Sequence, residues 1–233
     1  MALMQAQGQG VIGRRLFEFL RGLREHNTRE WFEAHRERYE ADVREPLVQL
    51  VVEFGPRLAA ISEQFVADPR PNGGSIFRIY RDTRFSKDKT PYKTNAGVHF
   101  RHSAGKDVHA PGFYLHLEPG EVFAGFGIWH PDAPAQGRIR DAIVARPEAW
   151  RGAVAAASSH GLTLGGEQLS RPPRGYDPEH PLIDDLRRKD YVLGADFSEA
   201  EACAPGFLDR FDATARGAAP FTRFLTEAVG LPW

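Results

Sequence analysis

A short turn in the middle of the chain constrains the fold most. Glu118-Pro119-Gly120-Glu121 has proline in the second position and glycine in the third, which is the preference of a type II turn. Segments with strand character flank it, Gly112 to Glu118 on one side and Glu121 to Trp129 on the other. Strands joined by so short a connection run antiparallel. The sequence therefore predicts a β-hairpin and an antiparallel sheet.

Two further strands are predicted before the hairpin, Ile76 to Arg81 and Ala96 to Arg101. Helical spacing of apolar residues precedes them and predicts three helices. The first spans Leu16 to Leu23, the second contains Trp31 to Val43, and the third runs from Pro46 to Phe65.

Local signals refine the helix boundaries. Asn27 with Glu30 resembles a capping box for the second helix, and Pro56 predicts a kink or break in the third near Gly55. Helical patterns return after Pro131 and continue to Val229. The predicted fold is α+β, with an antiparallel sheet of about four to six strands packed by N-terminal and C-terminal helices.

Composition supports one domain. The chain has 233 residues, of which 42% are hydrophobic, enough for one core over residues 14–233. Residues 1–13 are predicted to be disordered, and they do not resemble a signal peptide or membrane anchor. Cys203 is the only cysteine, which excludes an internal disulfide and fits a reducing compartment. We therefore predict a cytoplasmic protein with no membrane partner.

Positive charge is concentrated in one region. Residues 70–106 contain nine Lys and Arg but two Asp and Glu, a local charge of +7 in a chain of net charge −1. Three of the five lysines fall within seven residues of this region. A predicted strand, loop and strand over residues 76–95 would bring together Arg78, Tyr80, Arg81, Arg84, Lys87, Lys89, Tyr92 and Lys93 as candidate ligand-binding residues.

Three interpretations of this region stay open. A pocket for an anion is favoured because arginine forks bind phosphate or carboxylate and lysine adds a point charge. A nucleic-acid surface would use the interleaved aromatic rings for stacking, although the whole chain is not basic, with a pI near 6.8. A structural network of ion pairs is the third interpretation.

Candidate acid–base residues lie in and after this region. His116 and Glu118 are two residues apart on a predicted strand and share a face with Tyr114, so they are candidates to transfer a proton. Asp82 is a third candidate, as a base or as a residue that orients an arginine. The spacing is not a known metal signature, and we predict no metal site. No GxGxxG motif is present, which disfavours a nucleotide-binding loop, and the sequence leaves any cofactor unknown.

Several sequence blocks together resemble one bacterial family, domain of unknown function 2461. The resemblance covers about residues 14 to 225. It implies a single-domain, soluble bacterial protein and implies no particular reaction. The matching blocks are Phe17-x-Phe19-Leu20, Arg29-Glu30-Trp31-Phe32, His35-Arg36-x-x-Tyr39, most of Phe77 to Lys93, Pro111-Gly112-Phe113-Tyr114, His116-Leu117-Glu118-Pro119-Gly120 and Gly125-x-Gly127-x-Trp129-x-Pro131.

The sequence thus predicts a protein that binds a small phosphate- or carboxylate-bearing ligand through residues 76–95, either as a binding protein or as an enzyme. The alternative is an interaction module that docks nucleic acid or an acidic protein surface through the same residues. The oligomeric state is not predicted.

Overall fold

The computed structural model describes residues 10–84, 86–105 and 110–233. Helices occupy Arg14–Glu25 (α1), Arg29–Ala34 (α2), Arg36–Tyr39 (α3), Glu45–Ile61 (α4), Ala133–Ala145 (α5), Pro147–Ser159 (α6), Ile183–Leu186 (α7), Glu199–Ala202 (α8) and Phe207–Ala228 (α9), with a π-helical turn at Glu40–Arg44. Strands occupy Phe65–Val66 (β1), Ala96–His102 (β2), Gly112–Glu118 (β3), Glu121–Ile128 (β4), Thr163–Gly165 (β5) and Tyr191–Phe197 (β6).

The strands form one antiparallel sheet in the order β1-β2-β3-β4-β6-β5. The β3–β4 hairpin has the predicted register, in which Glu118 is opposite Glu121. Gly120 has a φ of +87°, the positive value that the third position of a type II turn requires. The predicted hairpin and the α+β class are both confirmed.

One face of the sheet carries the core. On β3, Phe113, Leu115 and Leu117 are fully buried and alternate with half-buried polar residues. Aromatic rings of the helices pack on this face. The Phe54 ring of α4 is 4.8 Å from the rings of both Phe100 on β2 and Phe211 on α9. Among the described residues, no helix has both the length and the hydropathy needed to cross a bilayer.

The third predicted helix differs from the observed one. α4 contains Pro56 but continues to Ile61, so the helix does not break near Gly55, and the alternative of a kink there stays a prediction. Proline removes one hydrogen bond, and the carbonyl that loses its partner belongs to Val52. Val52 is 56% exposed, on a side of the helix where water can replace that bond. The helix also ends before Phe65, which belongs to β1.

The predicted cap of the second helix is also different. Thr28 caps α2, and its hydroxyl accepts a hydrogen bond from the Trp31 N–H. The Asn27 side chain instead makes two hydrogen bonds of 3.0 Å with the backbone of Tyr92, one to its N–H and one to its carbonyl. Asn27 therefore ties the first helices to the basic region.

The predicted strand Ile76 to Arg81 is wrong. The chain makes only isolated bridges there, Ile76 with Val98 and Tyr80 with Tyr92. It starts beside β2, leaves the sheet, and pairs residues 79–81 with residues 91–93. A continuous strand would need one partner along its whole length, and this segment changes partner after two residues.

The N-terminal prediction is only partly covered by the structure. Residues 1–9 of the predicted disordered stretch, residues 1–13, lie outside the described residues, as does Lys106 of the basic region. Within the described part, Ile12 is fully buried.

Candidate functional site

The basic segment, defined as residues 76–95, begins over the face of the sheet opposite the helices. The segment is fastened to β2 by the Phe77 N–H, which donates to the Gly97 carbonyl at 2.9 Å. The Phe77 ring lies 5.8 Å from the ring of Tyr114 and 6.1 Å from that of His99. In a strand over residues 76–81, alternation would turn both Phe77 and Ile79 toward the helical core. Phe77 covers the opposite face instead, whereas Ile79 is buried.

The end of the basic segment is anchored in the core. Tyr92 is 2% exposed, and its ring stacks on Phe32 of α2 at 4.2 Å. The ring of Tyr80 is 5.4 Å from that of Tyr92 but is 46% exposed. The structure therefore places Tyr92 as an anchor of the segment and leaves Tyr80 available at its surface.

Both carboxylates of the basic segment have cationic partners. Asp82 accepts from Arg84 at 2.7 Å, and this hydrogen bond lowers the pKa of Asp82 to about 2. Asp88 forms an ion pair with Arg81 and accepts from the backbone N–H and hydroxyl of Thr90. Asp82 is therefore an exposed, ionised partner of an arginine at neutral pH.

The remaining cations have no carboxylate partner among the described residues. Arg78 and Lys87 are exposed and Lys93 is half-buried, while the Lys89 ammonium donates to the Thr83 carbonyl at 2.8 Å. The ion pairs of the described chain include none of these four side chains. The basic segment therefore keeps an excess of positive charge after its own acids are counted.

Lys93 stands out among these cations. Its ammonium lies over the Phe77 ring, 5.3 Å from the ring centroid. Burial lowers the pKa of Lys93, and the nearby charges of Arg78 and Arg81 lower it further. These three side chains, here called the cationic cluster, are close enough for their charges to repel, and Asp88 neutralises only Arg81.

A chain of hydrogen bonds runs along β3 beside the basic segment. The Tyr114 hydroxyl is 3.0 Å from Nδ1 of His116, and His116 Nε2 is 3.3 Å from Oε2 of Glu118. Burial raises the pKa of Tyr114 to about 12. The Glu118 carboxylate can only accept, so His116 Nε2–H donates a hydrogen bond to it, and in the neutral imidazole Nδ1 then accepts from the Tyr114 hydroxyl. The predicted shared face of these three residues is confirmed.

Other side chains hold this group in place. Glu118 also accepts from the Thr94 hydroxyl at 2.8 Å and from Arg24 of α1 at 3.0 Å. The Asn95 amide is 3.4 Å from His116 Nδ1, and the Phe123 ring stacks on the imidazole at 4.6 Å. Sequence reasoning missed Thr94 and Arg24. Thr94 directly follows the basic segment's last lysine, whereas nothing near Arg24 in the sequence indicates its partner.

The two parts of the site are neighbours. The Phe77 ring contacts the Lys93 ammonium and also the Tyr114 ring, so one aromatic side chain separates the cationic cluster from the hydrogen-bonded group. His99 lies on the same face and is 7% exposed. Its Nδ1 has no hydrogen-bond partner among the described residues, and burial lowers its pKa to about 4.

One group of side chains has the composition of a metal site. Ligand atoms of His116, Glu118 and Glu121 all lie within 4.8 Å of one another. Glu118, however, already accepts hydrogen bonds from Arg24, Thr94 and His116. A cation would have to displace some of these donors. The expectation that this protein holds no metal stays a prediction.

Comparison with known proteins identifies the family. No curated protein matches the chain. Residues 15–224 match the family described as "Conserved hypothetical protein (DUF2461)". The match includes the basic segment, β3 and most of α9. Since it covers nearly the whole sequence, the chain belongs to the family of domain of unknown function 2461, as the sequence blocks predicted.

Proposed function

We propose that the protein binds a small anionic ligand, bearing a phosphate or a carboxylate, at the cationic cluster of Arg78, Arg81 and Lys93. One observation carries this proposal. Lys93 is half-buried with Arg78 and Arg81 as its charged neighbours, and among the described residues it has no carboxylate in an ion pair, since Asp88 pairs with Arg81.

The electrostatics favour an anion at this position. Bringing like charges together and removing an ammonium from water both cost free energy, and a bound anion would offset both costs. Arg78 offers a planar fork of donors for two oxygens, and Lys93 offers a compact charge. Arg84, Lys87 and Lys89 belong to the same segment and would add long-range attraction rather than direct contact.

The neighbouring polar group suggests a chemical role for the ligand site. His116 is oriented by Tyr114 on one side and by Glu118 on the other. Such an oriented imidazole is suited to accept or donate a proton. If the bound anion reacts, we propose His116 and Glu118 as the pair that moves the proton, with Asp82 holding Arg84 in place.

A thermal-shift screen with phosphate, nucleotides and carboxylates tests the proposal. A ligand present at 100 times its dissociation constant stabilises the folded state by about 2.7 kcal/mol, which raises the melting temperature of a chain of this size by about 5–10 °C. Arg78→Ala and Lys93→Met should each remove most of the shift.

Arg171→Ala is the matched control, because Arg171 is exposed and lies outside the basic segment. The Arg171→Ala variant should keep the full rise in melting temperature. The proposal would be contradicted if none of these anions stabilised the protein, or if Arg171→Ala lost as much of the rise as Arg78→Ala.

A second candidate function rests on Tyr80. Its half-exposed ring lies in a region of excess positive charge, an arrangement that suits stacking of a nucleic-acid base. Binding of a single-stranded oligonucleotide that weakens steeply with salt and is lost in Tyr80→Ala would favour this function. Binding that is unchanged in Tyr80→Ala would exclude it.

We also propose, from the family and from Cys203 as the sole cysteine, a bacterial cytoplasmic protein.

A further inference from the structure

Lys93 differs from the other lysines of the described chain. Lys189 forms an ion pair with Glu167 at 3.0 Å, Lys89 donates to a backbone carbonyl, and Lys87 is exposed. The Lys93 ammonium lies 5.3 Å from the centroid of the Phe77 ring, a contact that fixes its position and by itself favours the charged form. Lys93 is also half-buried and has two arginines as its charged neighbours, and these two causes lower its pKa, so the neutral amine is more accessible than in an exposed lysine.

A neutral amine is a nucleophile, whereas an ammonium is not. Proteins activate lysine for attack on carbonyl groups by burying it or by placing it beside other cations. Both conditions are met at Lys93, since burial is the larger cause of its lowered pKa and Arg78 and Arg81 are the next. The same two arginines would attract a ligand that has an acid group next to its carbonyl.

We propose that Lys93 forms an imine with the carbonyl carbon of a small 2-oxo acid or acidic aldehyde whose carboxylate or phosphate is held by Arg78 and Arg81. The inference rests on the proposed function, because it uses the same cluster and assigns a ligand class to it. The carboxylate or phosphate of the ligand fixes its position at the arginines, and the Lys93 amine forms the covalent bond with its carbonyl carbon.

The step needs no oxidant or reductant. The Lys93 nitrogen lone pair attacks the carbonyl carbon, a carbon–nitrogen bond forms, and the carbonyl π electrons move to oxygen. The two protons of the neutral amine leave on that oxygen as water, and a carbon–nitrogen double bond replaces the carbon–oxygen double bond. Protonation of the nitrogen then gives a cationic imine beside the bound acid group.

Reductive trapping with glyoxylate tests the inference. The full-length protein is incubated with glyoxylate and cyanoborohydride, and the adduct is located by peptide mass spectrometry. We expect modification at Lys93 about tenfold or more faster than at Lys189, because anchoring of the carboxylate raises the effective concentration of the carbonyl. Inorganic phosphate should slow it by competition, and acetaldehyde, which lacks the acid group, should show a smaller preference for Lys93 that phosphate does not reduce.

Variants separate this inference from the proposed function. Lys93→Arg should abolish the fast modification, and Lys189→Arg should leave it unchanged. Arg78→Ala should slow it toward the rate at Lys189. If phosphate stabilises the protein in an Arg78-dependent manner but Lys93 reacts no faster than Lys189, the imine is refuted and the anion site stands. If Lys93 traps glyoxylate fast but neither phosphate nor acetate binds or competes, both the anchoring and the proposed anion site are refuted.

Discussion

The two faces of the sheet are built by different means. The helix face is lined by apolar side chains such as Leu115 and Phe126, both fully buried, and the Phe126 ring lies 6.3 Å from the Phe211 ring of α9. The opposite face carries Tyr114, His116 and Glu118, and an irregular segment covers part of it. Alternate residues of β3 thus point to opposite faces, so that one set packs in the core and the other set forms polar hydrogen bonds.

This difference indicates where substitutions are tolerated. Close-packed apolar residues contribute stability through burial, and their loss leaves a cavity. Polar residues on the opposite face contribute through a few directed hydrogen bonds, each of which is worth less. We expect stability to depend mainly on the helix face and ligand binding mainly on the other.

The strongest test of this contrast uses two adjacent residues of β3. Leu115→Ala removes a fully buried side chain and should lower the free energy of unfolding by about 2–5 kcal/mol. His116→Ala removes hydrogen bonds on the other face and should lower it by about 1 kcal/mol. Urea denaturation measures both. Equal losses would mean that the two faces contribute alike.

A pH titration tests the buried histidine of the polar face. His99 has a folded-state pKa of about 4 against an ordinary value of 6.5, so the unfolded chain binds the proton first as pH falls. The free energy of unfolding should therefore be highest above pH 6.5 and should fall by about 3 kcal/mol in total as the pH drops toward 4.

The matched variants are His99→Gln, which should lose this part of the acid sensitivity, and His26→Gln, an exposed histidine, which should keep it. Denaturation at several pH values measures the slope. An unchanged slope in His99→Gln would contradict the burial assigned to this side chain.

Two glycines of β4 distinguish a crowded position from an open one. Gly127 has a φ of +122°, and a Cβ there would lie 2.2 Å from the Tyr191 carbonyl oxygen, so Gly127→Ala should cost about 2–3 kcal/mol. A Cβ at Gly125 would meet only Tyr114, at 3.9 Å. Gly125→Ala should therefore change stability by about 0.5 kcal/mol or less. Thermal denaturation of both variants is the measurement, and a similar cost for both would show that the two positions are equally open.

Moderate losses of stability are expected where the basic segment is attached to the first helices. Asn27→Ala removes two hydrogen bonds to the Tyr92 backbone and should cost about 1–2 kcal/mol. Thr28→Ala removes the cap of α2 and should cost about 1 kcal/mol. Only Asn27→Ala should also weaken anion binding, because only this variant loosens the attachment of the basic segment. Calorimetric titration with phosphate separates the two, and equal weakening would contradict the role of Asn27.

Local patterns in the sequence predicted the parts of the fold that local forces determine. The Pro119-Gly120 turn predicted the hairpin, and alternation along β3 predicted that Tyr114, His116 and Glu118 share a face. The path of the basic segment was harder to predict from the sequence. Its alternation resembles a strand, but its hydrogen-bond partners change from β2 to residues 91–93, which no local pattern encodes.

Long-range partners explain the remaining differences. Asn27 resembled a helix cap, yet its partner is Tyr92, 65 positions later in the chain. Arg24 reaches Glu118 across 94 positions. The composition of the cationic cluster was visible in the sequence, but the burial of Lys93 over Phe77 depends on how the segment crosses the sheet.

The most direct measurement of the central claim is an amide NMR titration of the isotopically labelled protein with inorganic phosphate. We predict saturable shifts concentrated in residues 76–95 and at β3 near His116, and their loss in Arg78→Ala. Shifts that are absent, or that are spread over the helices with no preference for the basic segment, would contradict an anion site on this face of the sheet.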